Sequence, residues 1–155
     1  MTVLKLFRDK AGTGAMELSL ALPILMLLLV GMVDVSRLVA ARIDAEQAAQ
    51  RTTDYALAIR PSDDKSAYIK AEAVRASGLD AQDVTVDVFL ECNGERMNSF
   101  KSSCPAGQDR ARFVNVAIDR KVEFLFDWSS FSALFGTNVM GSSITVRGDS
   151  TVRFQ

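Results

Sequence analysis

The stretch Gly12-Thr13-Gly14-Ala15-Met16-Glu17-Leu18-Ser19-Leu20-Ala21-Leu22-Pro23-Ile24-Leu25-Met26-Leu27-Leu28-Leu29-Val30-Gly31-Met32-Val33-Asp34 decides how the chain is built. From Leu18 to Val33 it carries no charge, and Ser19 is its only polar side chain. Read as a helix, this run rises about 24 Å, or about 28 Å if it starts at Ala15, against a bilayer core of about 30 Å. The longer span takes in Glu17 near one end. An acid at membrane depth is costly and calls for a partner. Three other readings compete with a retained membrane helix. A buried core helix normally keeps a polar face, which Ile24 to Gly31 lacks. A plain signal anchor explains the apolar run but leaves Glu17 without a reason. A cleaved secretory signal needs a small-residue site soon after the run. Val39-Ala40-Ala41 could serve, but Asp34 and Arg37 stand between.

Outward from this stretch, 155 residues make one domain plus an anchor. The net charge is -1. In the leader 1–12, Lys5, Arg8 and Lys10 outnumber Asp9, so the remainder is faintly acidic. That argues against nucleic acid, which needs a basic footprint. There is no histidine, which excludes Ser-His-Asp and Cys-His catalysis and the commonest metal ligand. Two cysteines are too few for a zinc site of their own. No metal or cofactor is expected. The basic leader places the N-terminus in the cytoplasm by the positive-inside rule. The chain beyond Asp34 then lies outside, in the periplasm if the cell is bacterial.

The expected domains are a basic leader at 1–12, a transmembrane helix at 13–34 and an extracytoplasmic α+β domain at 35–155. Gly12 and Gly14 are expected to break any helix before Ala15. Pro23 removes a backbone donor and crowds the Ser19 carbonyl, so a kink is expected there. The helix should continue to Arg60, where Pro61 stops it. Val35, Val39 and Ile43 are read as one stripe with Ala45, Ala48, Ala49, Thr52, Ala56 and Ile59, facing the domain. Arg42, Asp44, Glu46, Gln50 and Arg51 form the solvated face. Ser62 should cap a second helix, with Asp63 and Asp64 in its first turn and Ala67, Ala71 and Val74 on its inner face. Gly78 should close it.

Beyond Gly78 the period becomes two. Val84, Val86, Val88 and Leu90 form a half-buried strand. Cys92 to Asp109 reads as a polar loop. Val114, Val116, Ile118, Val122, Phe124 and Phe126 share one parity, broken by Arg120. They give one long strand, or two joined by a bulge at residues 119–121. Trp128 to Phe135 is a short apolar turn or helix. Ile144, Val146, Val152 and Phe154 give a last strand, interrupted at Gly148. The expected fold is α+β: a long N-terminal helix, membrane-spanning and then extracytoplasmic, packed on a small antiparallel sheet.

Cys92 and Cys104 flank a polar loop. In an oxidising compartment they favour a structural disulfide. A redox pair and two reduced thiols are the alternatives, although redox pairs are normally Cys-x-x-Cys at a helix start.

Gly12 stands five residues before Glu17, which opens the apolar run. The string from Gly12 to Pro23 resembles the TadE-like family of tight-adherence (Tad) pilus proteins. Gly31 and Asp34 look like that family's Gly-x-x-Glu, and the Ala-rich stretch from Ala45 to Ala58 is similar too. Leu18 and Met16 depart from the family's usual aromatic and valine. The resemblance implies a pilin-like minor pilin or pseudopilin, cleaved between Gly12 and Thr13 by a prepilin peptidase. It implies partners among other pilus subunits and the Tad assembly machinery. Glu17 would then pair, most naturally between subunits, with the ammonium freed on Thr13. The competing functions are a membrane-anchored binding module and an enzyme. No phosphate loop, metal constellation or nucleophile–base pair speaks for the last.

Overall fold

A computed structural model describes residues 13–63, 65–133, 136 and 141–155. The leader with Gly12, together with Asp64 and Phe135, lies outside the described residues. Helix α1 runs from Thr13 to Ile59. It starts two residues before Ala15, with Gly14 inside it, and it passes through Pro23 unbroken. Helix α2 spans Ala67–Ser77. Strands β1 (Val84–Cys92), β2 (Glu95–Arg96), β3 (Arg110–Glu123) and β4 (Ser143–Arg153) form one antiparallel sheet in the order β2-β1-β3-β4. The short helix α3 (Trp128–Ala133) lies between β3 and β4. The fold is α+β, a long helix on a small antiparallel sheet.

The helices cover one face of the sheet. Alternation puts Val84, Val88, Val114, Val116 and Ile118 on that face, and all are buried. The other face is partly wet and carries a stacked Phe89–Phe113 pair, with the Arg96 guanidinium over Phe89 at 4.3 Å. β3 is one uninterrupted strand. Its pairing with β4 runs without a bulge from Phe113↔Arg153 to Glu123↔Ser143. Arg120 keeps the inward parity because it crosses the core edge. Its Nη2 donates to the Ser77 carbonyl at 3.0 Å, and its Nη1 lies 3.4 Å from Asp44. The Ser77 carbonyl ends α2, where the helix dipole favours a cation.

The face of α1 that packs differs from the expected stripe. Ala41, Ala45, Ala48, Ala49, Thr52 and Ala56 are buried, whereas Val35, Val39, Ile43 and Ile59 are exposed. At about 100° per residue, Ile43 and Ala45 lie on opposite sides of the helix, so they cannot belong to one stripe. The packed face is made of small residues, and this brings the backbones together. Gly148 does not interrupt β4. It is a point of close approach: a methyl built there would collide with the Glu46 nitrogen and the Ala45 carbonyl carbon. Beside it, Thr53 Oγ1 and Ser150 Oγ are 3.0 Å apart. Thr53 donates to the Gln50 carbonyl, so Ser150 supplies the proton across the joint.

Two more expectations change. α2 begins at Ala67 after Ser66, not after Ser62, and buries Ile69, Ala73 and Ser77. Asp63 instead accepts the Lys65 amide in a local turn. Gly78 does close α2, at φ 66°. The 92–109 segment is not all loop. Asn93 and Gly94 both have positive φ, the backbone of a tight hairpin turn that pairs β2 with β1. Farther on, Phe100 returns to the core, stacked on Phe154 and roofed by Arg112 at 4.6 Å. Burial holds the Arg112 guanidinium below its ordinary pKa.

Candidate assembly site at the membrane end of the long helix

The sheet domain occupies only the outer part of α1. Among the described side chains from Gly14 to Val33 none is buried, and Leu20 is 76% exposed. This part of α1 is long and apolar enough to cross a membrane. Thr13 to Val33 would span about 30 Å at 1.5 Å per residue, the thickness of a bilayer core. Thr13 opens the helix and Glu17 follows one turn later, exposed. Both therefore stand at the free end, away from the sheet. Pro23 withholds the amide that would have bonded Ser19's carbonyl. The Ser19 hydroxyl donates to the Met16 carbonyl at 2.8 Å.

The other end of the apolar run is latched to the domain. Asp34 is 3% exposed. One carboxylate oxygen accepts the Leu125 amide at 2.8 Å, and the other accepts Trp128 Nε1–H at 2.9 Å. Arg37 lies 4.0 Å away. A buried carboxylate needs such donors, because unpaired it would be expelled or neutralised. The donors come from a corner that the sequence shapes locally. β3 ends at Glu123, and Asp127 caps α3. Asp127 accepts the Ser129 and Ser130 amides at 3.1 and 3.2 Å and the Ser130 hydroxyl at 2.6 Å, with the Ser129 hydroxyl also bonded. The hydroxyls of Ser129 and Ser130, with their amides, hold its carboxyl down to about 2.

Trp128 thus lies against α1. A methyl built on Gly31 would sit 3.5 Å from its ring. Between α1 and this corner runs an apolar groove of about 870 Å³, with Leu27, Leu28, Met32, Leu38, Phe124 and Trp128 among its walls. At the far end of the sheet, Cys92 and Cys104 are bonded to each other, with Cα atoms 5.5 Å apart. The bridge ties the Phe100 segment to the end of β1. Among the described residues no group of His, Cys, Asp or Glu is placed to hold a metal.

The residues singled out in the sequence therefore fall in three places. Thr13, Glu17 and Pro23 lie on the bare half of α1, the cysteines close the distal loop, and Gly12 is outside the described residues. The Asp34–Leu125–Trp128 latch was not singled out. A signal existed: an acid directly after an uncharged run, and a single tryptophan that needs an acceptor when buried. Nothing in the sequence joined the two, which are 94 residues apart.

No curated protein and no solved structure matches the chain. A family model does, the one described as TadE-like protein, over residues 12–54. The matched region takes in the bare half of α1, Asp34 without its latch partners, and most of the small-residue face. Over those residues the chain is similar to the TadE-like family, and the sheet that the helix carries lies beyond the matched residues.

Proposed function

We propose that the protein is a minor pilin or pseudopilin that takes part in assembly of a Tad-type pilus and in surface adhesion. Its role is structural, with no catalysis of its own. The observation that carries this reading is the bare, apolar first half of a TadE-like helix, with an acid one turn from its start. In this reading the leader is cytoplasmic, α1 crosses the inner membrane once, and the sheet domain is periplasmic. A prepilin peptidase cuts after Gly12, where a residue without a side chain lets the enzyme reach the backbone. Cleavage leaves an ammonium on Thr13. Glu17 pairs with such an ammonium on a neighbouring subunit, and each charge offsets the other's burial in lipid. The partners are other pilus subunits, the assembly machinery and the membrane.

The mass of the protein purified from a host with complete pilus machinery tests this. A mature chain starting at Thr13 is expected, and Gly12→Val should retain the leader. Glu17→Ala should still be cleaved but should co-purify with fewer pilus subunits. A wild-type chain that keeps residues 1–12 in such a host would mean a plain membrane anchor.

A further inference from the structure

The sheet domain does not hang clear of the apolar run. Its α3 corner reaches back along α1 as far as Gly31, where the Trp128 ring makes contact. Gly31 lies two residues inside the end of the uncharged run, about 3 Å to its apolar side. Several large apolar side chains are grouped at this level. Leu125 is 64% exposed and Ile144 is 46% exposed, both large apolar residues, whereas the strand residues Val84, Val88, Val114, Val116, Ile118 and Val122 are buried. Phe126 meets the Trp128 ring edge-on at 4.9 Å. The carboxylate at this depth, Asp34, is buried with both oxygens hydrogen-bonded. Asp127 turns its carboxylate onto the start of α3. Arg37 stands one turn farther out with its side chain 45% exposed.

We infer that the α3 corner is a second membrane contact. Leu125, Phe126, Ile144 and Trp128 lie at the headgroup–acyl boundary of the leaflet facing the domain, and phospholipid acyl chains enter the groove between α1 and Trp128. The occupant follows from continuity: the α1 wall of the groove, at Leu27, Leu28 and Met32, is part of the surface that lipid covers along the rest of the span. Aromatic rings favour this boundary because they tolerate one apolar and one wet side. The latch at Asp34 makes the contact stiff, so the domain stands at a fixed tilt on the bilayer. This inference rests on α1 crossing the membrane.

Trp128 is the only tryptophan, so its emission reports the corner alone. The full-length protein is placed in phosphatidylcholine–phosphatidylglycerol vesicles whose acyl chains are brominated either near the carbonyl or near the terminal methyl. Emission should be lost mainly to the shallow bromines, and aqueous iodide should quench little. Iodide quenching without lipid quenching overturns the inference, since water then bathes the corner. Silence to every quencher overturns it too, because a neighbouring subunit then covers the groove. Stronger loss to the deep bromines contradicts the boundary placement. A Trp128→Phe protein carrying Leu22→Trp separates the two readings. If this probe is quenched by the deep bromines while Trp128 is not quenched by lipid, the span stands and the corner fails. If lipid quenches neither, the span itself is wrong.

Discussion

The two halves of α1 are one unbroken helix with opposite rules for their side chains. From Leu18 to Val33 most residues are large and apolar, and none of those described is buried. From Ala41 to Ala56 the inward positions are alanine and threonine, and Ala49 and Ala56 are fully closed off. Hydrophobicity alone would assign the core to the wrong half. Size is what separates them. The outer half meets a sheet that already supplies Val114, Val116 and Ile118, so the helix needs only to come close. The first half meets the described part of the domain only near its end, where Trp128 reaches Gly31, and its leucines need a solvent of their own. Asp34 marks the change, with its carboxylate inside the domain and an uncharged run directly before it.

The sharpest way to break the outer half is Gly148→Ala. The added methyl collides with backbone atoms of Ala45 and Glu46, which cannot rotate aside. The helix must lift from the sheet, costing about 3 kcal/mol, the upper end of usual overpacking. Leu22→Ala, in the bare half, should change domain stability by no more than about 0.5 kcal/mol. Denaturant unfolding of the detergent-extracted protein, followed by Trp128 emission, compares the two. Equal losses would erase the distinction between the halves. Cys104→Ser should remove about 3 kcal/mol or a little less, by freeing the loop that the bridge closes. Wild type unfolded in reductant should show the same loss; an unchanged midpoint would mean that Phe100 holds the segment unaided.

The boundary itself is weaker. Asp34→Ala leaves the Leu125 amide and Trp128 Nε1–H without their acceptor and should cost about 2 kcal/mol, with Asp34→Asn milder because it keeps one acceptor. The check is the unfolding midpoint together with a red shift in Trp128 emission. The smallest effect is at Asp127. Its carboxyl titrates at about 2 in the folded chain against an ordinary 3.8, so the ionised form favours the folded corner. That contribution is complete above pH 3.8 and is lost as the pH falls through about 2. Trp128 emission should drift in that window, and Asp127→Asn should reduce the drift. An identical drift in the variant would assign it to another group.

Much of this was legible in the sequence because it is periodic or punctuated. Pro61 ends the long helix, Gly78 closes α2, and alternation from Val84 and from Val114 gives the two central strands. The cysteine pair followed from the expected compartment. Other features depend on what lies opposite a residue, which a linear pattern does not carry. The choice between the Ala45 side and the Ile43 side of α1 is one case, since both are apolar. Gly148 is another: a glycine in a strand reads as a break, and here it is a contact. Phe100 was hidden by the polar residues around it. Of the candidate site, Glu17 and the apolar run were visible from charge alone, whereas the Asp34 latch needed the fold to bring Trp128 to it.

The central claim is that α1 changes solvent at Asp34. Spin labels placed singly at Leu20, Leu25, Leu29, Val39, Ile43 and Leu57, all exposed on the helix, test it in bilayer-reconstituted full-length protein. Collision rates with oxygen, which concentrates in lipid, are compared with those of a water-soluble nickel chelate. Labels at Leu20, Leu25 and Leu29 should meet oxygen and escape nickel, while those at Ile43 and Leu57 should meet nickel, with Val39 on the aqueous side of the change. Nickel access at Leu25 and Leu29 equal to that at Ile43 would contradict the account.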